Sequence, residues 1–378
     1  MTTVADRINQ PNFWDQLPPP WDSEVEETLL CCQVRNETHD VKSFFFRTPA
    51  GRTFHFAPGQ FITLELEIDG ERINRCYTIS SAPTRPHTIS ITVKRVPGGP
   101  VSNWLHDNLK AGDSVRVLGP SGEFTCAPYP SAKYLFLSAG SGITPLMSMT
   151  RTHLDLSDDR DIVFVHSART PDDIIFEREL GLIASSQQHF RAHFVCERLG
   201  GRTAWNGVTG MLSLPLLKLA APDFMDREIF VCGPAPYMKA VKAMLEEAGF
   251  DLKRHHEESF SFETLVQETA SAQGQVVLAE AASPSPTAEA ETGFTISFQK
   301  SRREIVCGAH QHVLDAARDA GVRLPASCTQ GMCGTCKVKM VSGQVDMQHK
   351  GGIRQREIDQ GMVLLCCSRP LSDLVIDK

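Results

Sequence analysis

Four cysteines near the C-terminal end constrain this chain more than any other feature. Three of them follow the spacing Cys328-x4-Cys333-x2-Cys336, and Cys366 comes after 29 further residues. Four soft thiolates at this spacing are the donor set of a 2Fe-2S cluster. Structural zinc sites usually pair two C-x2-C knuckles, so three cysteines within nine residues favour iron and sulfide over zinc. The spacing therefore predicts a centre that carries one electron at a time.

Cys366 and Cys367 are adjacent, and only one of them can be the fourth ligand. The gap before Cys366 is the usual one in the plant-type ferredoxin pattern, which favours this residue. Gly331 and Gly334 lie between the first three cysteines, where glycine lets the backbone turn its N–H groups toward sulfur. We expect Cys367 to be a bystander thiol. The other cysteines of the chain are predicted to be small buried hydrophobes, namely Cys31, Cys32, Cys76, Cys126, Cys196 and Cys307.

The chain has 378 residues, which is too long for one such domain and suggests two or three. Charged residues make up 22% of the chain, the net charge is -7, and no basic stripe indicates a nucleic-acid partner. The sequence has neither an apolar run long enough to span a membrane nor the pattern of a secretory leader. We therefore expect a cytoplasmic protein whose 12 cysteines are reduced thiols or cluster ligands rather than disulfides.

A change of composition divides the chain. Residues 270–291 are rich in Ala, Ser, Glu and Pro, and few large side chains there are available for a hydrophobic core. We predict a flexible linker over 263–292 that joins a C-terminal domain, 293–378, to the rest of the chain. A surface loop within one domain is the alternative. An N-terminal tail is predicted over 1–25.

Two patterns precede the linker. Residues 26–130 contain short apolar or alternating runs separated by Pro-Gly, Asp-Gly and Gly-Gly pairs, which predicts a small antiparallel β-barrel. In residues 131–262 apolar runs alternate with helix-like stretches, which predicts an α/β domain with a parallel sheet. The predicted barrel strands are 41–47, 61–68, 88–95 and 114–118. The predicted strands of the second domain are 134–138, 162–166, 192–196 and 228–232, and one of its helix-like stretches is Ala235–Glu247.

The sequence RCYTISS at 75–81 is the most suggestive pattern in the barrel. Alternate side chains of a strand face one way, so a tyrosine ring can cover a flavin, a hydroxyl can reach its N5 atom and an arginine can neutralise its phosphates. An ordinary strand with a surface arginine has the same pattern. Further along, GGPVSNWL at 98–105 predicts a glycine loop that opens a helix, and the N-terminus of such a helix favours phosphate.

The second domain has two glycine turns that follow strands. One strand runs into AGSGITP at 139–145, and a helix is predicted to start at Thr144 or Pro145. Two glycines allow close approach of a nucleotide pyrophosphate, but the third glycine of the usual dinucleotide fingerprint is absent. A later strand ends in CGPAPYM at 232–238, at the carboxyl edge where open parallel sheets bind ligands.

These four motifs, in this order and followed by the cysteine module, resemble the ferredoxin-NADP reductase superfamily. The chain is similar to three-module reductases of two groups. One group comprises the reductase components of Rieske-type monooxygenases that demethylate glycine betaine and similar quaternary amines, and the other comprises the NADH oxidoreductases of hybrid-cluster protein. The runs at 95–99 and 351–359 resemble the first group, which we favour, and those at 122–126 and 169–173 resemble the second. The implied fold is an antiparallel flavin-binding β-barrel, an α/β parallel-sheet NAD-binding domain and a β-grasp 2Fe-2S ferredoxin domain.

The resemblance implies a role for each matched residue. Thr78, Cys232 and Glu258 would be the catalytic groups beside the nicotinamide and the reactive edge of the flavin. The flavin would be held by Arg75, Tyr77, Thr78, Val93, Lys94, Gly99, Val101, Ser102 and, at its edge, Phe260. The nicotinamide nucleotide would be held by Gly140, Gly142, Thr144, Pro145, Arg169, Asp173, Gly233, Pro234 and Met238. Taken alone, Arg169 with Asp173 is equally typical of a solvated helix start, and the pair at 257–258 is typical of a solvated turn.

The implied function is that of an NAD(P)H-dependent iron-sulfur flavoprotein oxidoreductase. Electrons would pass from NADH through FAD and the 2Fe-2S cluster, one at a time, to a partner protein, with a Rieske-type oxygenase favoured. We favour FAD over FMN because the helix-opening loop suits a pyrophosphate, although phthalate-type reductases share this module order and use FMN. We favour NADH over NADPH because no basic cluster surrounds Arg169. A redox-sensing flavoprotein without a turnover partner is the rival class.

Overall fold

The computed structural model describes residues 18–157, 159–201, 205–259, 293–322, 324–326 and 328–378. The predicted linker, Phe260 and most of the predicted N-terminal tail lie outside these described residues. The described part has three modules, an antiparallel barrel, an α/β domain and a C-terminal domain with a mixed sheet. Within that part of the chain, no helix is both long and apolar enough to cross a membrane.

The first module is a six-stranded antiparallel sheet in the order β4-β3-β6-β1-β2-β5. A bridge between Ile79 and Ile91 connects the end of β4 to β5 and closes the sheet into a barrel. Alternating apolar side chains, such as Phe44 and Phe46, point into a continuous core. The elements are β1 (Thr28–Asn36), β2 (Val41–Arg47), β3 (Phe61–Ile68), β4 (Glu71–Thr78), β5 (Ile89–Lys94), α1 (Pro100–Asn108) and β6 (Ser114–Ser121).

The second module is a parallel sheet in the order β10-β9-β8-β7-β11-β12. Its strands are nearly continuous apolar runs because helices cover both faces, and a separate hydrophobic core lies on each side. The strands are β7 (Lys133–Ala139), β8 (Asp161–Ala168), β9 (Phe190–Cys196), β10 (Val208–Thr209), β11 (Glu228–Gly233) and β12 (His255–Ser259). The helices are α2 (Ile143–Asp155), α3 (Glu177–Ser186), α4 (Leu214–Ala220) and α5 (Ala235–Glu247).

The third module is a five-stranded mixed sheet in the order β14-β13-β19-β15-β17, with a separate β16-β18 pair. Strand β13 is antiparallel to β14 and parallel to β19, and the first helix packs under the sheet, as in a β-grasp domain. The elements are β13 (Gly293–Phe298), β14 (Arg303–Gly308), α6 (Val313–Asp319), β15 (Lys337–Ser342), β16 (Val345–Met347), α7 (Gln355–Asp359), β17 (Met362–Leu364), β18 (Ser368–Pro370) and β19 (Leu374–Ile376).

Two sequence-based predictions differ from the structure. Helix α2 begins at Ile143 rather than at Thr144 or Pro145, because the turn Gly140–Gly142 is a 3-10 turn that leads directly into the helix. Cys32 and Cys76 were predicted to be buried, but Cys32 is exposed and Cys76 is half-buried because it lines a cavity, whereas Cys31 lies in the barrel core. The exposure of Cys32 results from a bulge in β1 between Cys31 and Gln33, which turns the intervening side chain out of the barrel.

The barrel and the α/β domain are joined through helix α2. Its Ser148 hydroxyl donates a hydrogen bond to the Ser81 carbonyl at 2.7 Å. The buried Arg151 guanidinium donates to the Ser80 carbonyl and pairs with Glu179 at 2.6 Å. These contacts hold the segment that follows β4 against the helix that follows the first glycine turn.

Candidate functional site

Strand β4 carries the residues predicted to hold a flavin. Thr78 and Arg75 line a cavity of about 530 Å³ at the end of the barrel. Tyr77 does not line this cavity but packs against the barrel core, where burial raises the pKa of its phenol. The strand therefore brings an arginine and a hydroxyl to one edge of the cavity.

The loop before α1 forms a closed turn. Asn103 donates hydrogen bonds to the carbonyls of Val96 and Gly99 at 2.9 and 2.7 Å. The Ser102 hydroxyl accepts a hydrogen bond from the Val96 N–H at 3.1 Å. The side chains of Val93 and Val101 lie in the barrel core, so contacts from these two residues to a cofactor would come from their backbone. Lys94 pairs with Asp40 at 3.3 Å.

Gly142 is required by the close approach of two strand ends. A Cβ atom at this position would lie 2.2 Å from the Cys232 carbonyl oxygen and 2.6 Å from the Gly233 nitrogen. Gly140, by contrast, has φ +53 with open space beside it, as expected for a loop that faces a ligand. Thr144 and Pro145 are buried in the first turn of α2. The turn after β7 therefore packs directly on the turn after β11.

The second glycine turn places Cys232 and Gly233 at the carboxyl end of β11. Pro234 caps helix α5, and Met238 is buried one turn further on. Cys232 is fully buried, and burial raises the pKa of its thiol well above the ordinary value. The thiol is therefore neutral, and it can contribute to a nicotinamide site by packing but not by charge.

Glu258 lies beside Cys232 because β11 and β12 pair in parallel with these two residues in register. Its side chain faces the same cavity as Thr78, and its Oε2 atom is buried without a hydrogen-bond partner. Burial raises the pKa of this carboxyl to about 8. A protonated carboxyl with an unpaired oxygen, aimed into a cavity, fits a polar group of a bound cofactor.

A second cavity, of about 580 Å³, lies beyond the carboxyl ends of β8 and β9 and is lined by Arg169 and Asp173. The Asp173 carboxylate accepts hydrogen bonds from the N–H and the hydroxyl of Thr170 at 3.0 and 2.6 Å. Arg198 and His39, which the sequence did not point to, line the same cavity. The two residues predicted to meet the adenosine ribose are thus brought together.

The thiols at the C-terminal module fit an iron-sulfur cluster. The N–H groups of Gln330 and Met332 point at the Cys328 sulfur at 3.4 and 3.3 Å, and the Cys328 N–H points at the Cys333 sulfur at 3.5 Å. Such N–H groups stabilise thiolate ligands. The thiols of Cys333, Cys336 and Cys366 are buried.

The geometry also bears on the choice between the adjacent cysteines. The Cys328 and Cys336 thiols, two of the other predicted ligands, contact the Cys366 sulfur, as does the neighbouring Cys367 thiol, and these contacts hold the pKa of Cys366 below its ordinary range. The Cys367 thiol also points to the Leu364 carbonyl at 3.7 Å and lies under Gly331. This arrangement favours Cys366 as the fourth ligand and a packing role for Cys367.

The flavin strand and the cluster loop share the same cavity. Cys328 and Met332 line it together with Thr78 and Arg75. A small apolar cluster joins Phe61 of the barrel to Met332 and Cys333. A site for a flavin and a site for a 2Fe-2S cluster therefore face each other without an intervening domain.

Several residues of this cavity were missed from the sequence. Phe61, Cys76 and Tyr129 line it, as do His255 and His256. Except for Cys76, which lies within the motif at 75–81, none of them belongs to a motif recognised in the sequence. The position of Cys76 between the flavin residues Arg75 and Tyr77 on an alternating strand was the one available signal. It implies that Cys76 faces away from Tyr77, and the structure turns it toward the cluster loop.

Comparison with protein families agrees with these three sites. The chain matches the oxidoreductase FAD-binding domain over residues 31–126 and the oxidoreductase NAD-binding domain over 136–243. It matches the 2Fe-2S iron-sulfur cluster binding domain over 296–371. The three cofactor types predicted from the sequence are thereby confirmed. The domain boundaries proposed above, and the individual roles of the site residues, stay predictions.

Relatives that share all three modules decide the family. The glycine betaine monooxygenase reductase subunit of Pseudomonas aeruginosa is 48% identical over 92% of this chain and 94% of its own length. The chain belongs to this family of FAD-, NAD- and 2Fe-2S-binding reductases. In the same family, the corresponding subunit of Chromohalobacter salexigens is 44% identical over 97% of this chain and 99% of its own length. The stachydrine N-demethylase reductase subunit of Rhizobium meliloti is 38% identical over 98% of this chain and 99% of its own length.

A solved structure extends the likeness to the fold of this three-module reductase. Phthalate dioxygenase reductase aligns over 93% of this chain and 97% of its own length, with a TM-score of 0.53 and 24% identity. The FAD/NAD-binding domain of nitric oxide dioxygenase from Vibrio cholerae aligns over 62% of this chain and 98% of its own length, with a TM-score of 0.57 and 27% identity. The expected fold class is confirmed.

Proposed function

We propose that this protein is the electron-supplying component of a Rieske-type oxygenase that demethylates glycine betaine or a related quaternary amine. The observation that carries the proposal is the 48% identity over 92% of the chain to a glycine betaine monooxygenase reductase subunit. The stachydrine N-demethylase relative supports the same class of substrate. None of the 12 cysteines forms a disulfide in the described structure, which supports work in a reducing compartment such as the cytoplasm.

The chemistry of the bound FAD is to accept two electrons together from NADH and to release them singly to the cluster. The residues of this chain supply position and electrostatics. Arg75 and Thr78 line the cavity in which the reactive edge of the flavin would lie. Glu258 keeps its proton at neutral pH because burial raises its pKa to about 8, so it adds no negative charge there. A neutral acid stabilises a ring that gains negative charge, whereas a carboxylate would repel it.

Cys232 and Gly142 have a spatial role in this proposal. Cys232 is buried at the end of β11, and Gly142 lets the turn after β7 pack directly on the Cys232 carbonyl. The nicotinamide would enter between this turn and the flavin. Near-contact of the two rings is what hydride transfer requires.

We propose NADH as the preferred donor. Asp172 and Asp173 line the cavity that would take the adenosine ribose, together with Asp40. Carboxylates suit the 2'-hydroxyl of NADH and repel the 2'-phosphate of NADPH. Arg169 and Arg198 offset part of this negative charge. The preference is therefore tested by measuring kcat/KM for NADH and for NADPH and taking the ratio of the first to the second. A ratio below one contradicts this preference.

The decisive experiment combines the purified reductase with an oxygenase component of the glycine betaine type, NADH and oxygen. Monooxygenation of an N-methyl group consumes one NADH and one O2 and releases one formaldehyde and one water. We expect formaldehyde with glycine betaine or stachydrine, in amounts that match the NADH consumed. Mixtures without amine, without oxygenase or with hybrid-cluster protein in place of the oxygenase are the controls.

The outcomes separate the candidate functions. Formaldehyde from neither amine, with rapid reduction of hybrid-cluster protein, would move the assignment to the second group of reductases. Reduction of the flavin and cluster without turnover of any acceptor protein, including cytochrome c, would favour a redox sensor. Coupled demethylation supports the proposal directly.

A further inference from the structure

The ion pairs between the ferredoxin module and the barrel all have the same polarity, with negative groups on one surface and positive groups on the other. Every ion pair that joins the two modules within the described residues has its carboxylate on the barrel side and its cation on the ferredoxin module. The carboxylates are Glu27, Glu65 and Glu123, and the cations are Lys337, Lys350, Arg354 and Arg356. Such complementarity fixes the orientation of two docked surfaces.

Four charges at the centre of this contact are buried together. Glu65 of β3 binds Lys337 at 2.9 Å through one oxygen and Arg354 at 2.7 Å through the other. Glu357 of the ferredoxin module binds Lys337 at 2.7 Å. The side chains of Lys337, Arg354 and Glu65 are 6%, 0% and 11% exposed. The two positive and two negative charges cancel, which offsets part of the free-energy cost of burying them.

Arg354 depends on the barrel for its hydrogen bonds. Its guanidinium donates to the Val117 carbonyl at 2.8 Å, to the Ser23 carbonyl at 3.2 Å and to Glu65. Its partner within the ferredoxin module, Glu357, is 3.7 Å away. The planar fork of arginine suits three acceptors at fixed positions, and a lysine cannot reproduce this pattern. Arg354 is therefore buried and fully bonded only while the module is docked.

This contact lies next to the cluster ligands. Lys337 directly follows the ligand Cys336. The Thr63 hydroxyl donates to the Cys333 carbonyl at 3.0 Å, and the Asn74 amide donates to the Gly334 carbonyl at 3.0 Å. Asn74 belongs to β4, the strand that carries the flavin residues. Strands β3 and β4 therefore bind the cluster loop through Thr63 and Asn74, and β4 also carries the residues that line the flavin cavity.

We propose that Glu65, Lys337 and Arg354 form the docking contact that sets the cluster at its electron-accepting position beside the flavin, with Arg354 as the positioning residue. NADH would supply the electron pair, one electron would reduce the cluster, and the second would follow once the cluster had passed the first to an acceptor. None of the three residues lines the cavity between the flavin residues and the cluster loop, so the contact would act on the distance and orientation between the two cofactors. The proposal rests on the flavin-to-cluster electron transfer of the proposed function and does not depend on which oxygenase follows.

The test is anaerobic stopped-flow reduction of holoprotein by NADH without any oxygenase. Flavin absorbance reports the first step, and the EPR signal of freeze-quenched samples reports cluster reduction. In Arg354→Met and Glu65→Gln, we expect flavin reduction at the wild-type rate and cluster reduction slowed about tenfold or more, because truncation of one partner of a buried charge pair weakens docking by at least that factor. Arg354→Lys should recover part of the rate.

Arg318→Met is the matched control, because Arg318 is exposed and pairs with Asp315 inside the ferredoxin module. Small-angle X-ray scattering of the same holoproteins gives a readout other than electron transfer. The radius of gyration should rise in Arg354→Met and Glu65→Gln and stay constant in Arg318→Met. If Arg354→Met loses its cluster, the test rests on Glu65→Gln. Glu65 lies in the barrel, so this substitution leaves the cluster-binding module itself unchanged. Wild-type cluster reduction or an unchanged radius in Glu65→Gln overturns the proposal.

Discussion

Glu258→Gln tests the role of the buried carboxyl at the flavin edge. Glu258 faces the cavity that contains Thr78, and its Oε2 atom has no hydrogen-bond partner in the described structure. Glutamine keeps the shape and an N–H donor but cannot ionise. The substitution therefore removes the titration and leaves the packing largely unchanged.

The expected magnitude follows from the raised pKa. With a pKa of about 8, about nine-tenths of the Glu258 carboxyls are protonated at pH 7 and about one-tenth at pH 9. The nearby thiol of Cys232 stays neutral in this range because burial raises its pKa, and burial lowers the pKa of His255, which keeps it neutral as well. The rate of flavin reduction by saturating NADH should fall about tenfold from pH 7 to pH 9.

Anaerobic stopped-flow measurement of flavin reduction across this pH range checks the prediction. Glu258→Gln should give a flat profile at a rate near that of the wild type at pH 7. Glu257→Gln is the matched control, because the adjacent carboxylate is 40% exposed, and it should keep the wild-type profile. A flat wild-type profile, or the same fall in Glu258→Gln, would refute the reasoning.

Four further predictions follow from the same site. Gly142→Ala places a Cβ 2.2 Å from the Cys232 carbonyl, so the KM for NADH should rise about tenfold or more, whereas Gly181→Ala, with open space around it, should leave the KM unchanged; equal KM values would contradict the assigned close approach. Thr78→Ala should slow flavin reduction about tenfold without loss of bound flavin, and traces that match the wild type would show that the hydroxyl does not act on the flavin. Cys366→Ser should abolish the EPR signal of the cluster and keep the flavin, while Cys367→Ser keeps both; the reverse result would exchange the two assignments. Because the pKa of Glu258 is raised on folding, the wild type loses stability as pH rises from about 4 to about 8, so Glu258→Gln should raise Tm more at pH 8 than at pH 5, and an equal change at both would argue against the buried ionisation.

Local sequence signals predicted most of the fold. Strands β2 and β3 and helix α5 have the predicted bounds, since alternation of apolar residues and a glycine-proline turn are features of neighbouring residues. The spacing of the cluster cysteines is equally local. Cys32 was misjudged because a β-bulge depends on pairing with another strand, which the sequence of β1 does not show.

The contacts that join the modules could not be predicted. Glu65 and Arg354 lie 289 positions apart, and each is an ordinary charged residue in its own segment. Burial would raise the pKa of Glu65, but the charges of Lys337 and Arg354 outweigh it and hold that pKa below its ordinary value. The raised pKa of Glu258 likewise depends on the tertiary environment that buries it. Such properties arise from three-dimensional packing. A sequence motif can therefore identify a site residue but cannot predict its protonation state.

An anaerobic titration of the holoprotein with NADH tests the central claim most directly. Visible absorbance follows the flavin, and EPR follows the reduced 2Fe-2S cluster. We predict that both respond to NADH and that the cluster signal develops as electrons leave the flavin. Bleaching of the flavin with a silent but intact cluster, shown by its iron content and its reduction by dithionite, would contradict the account.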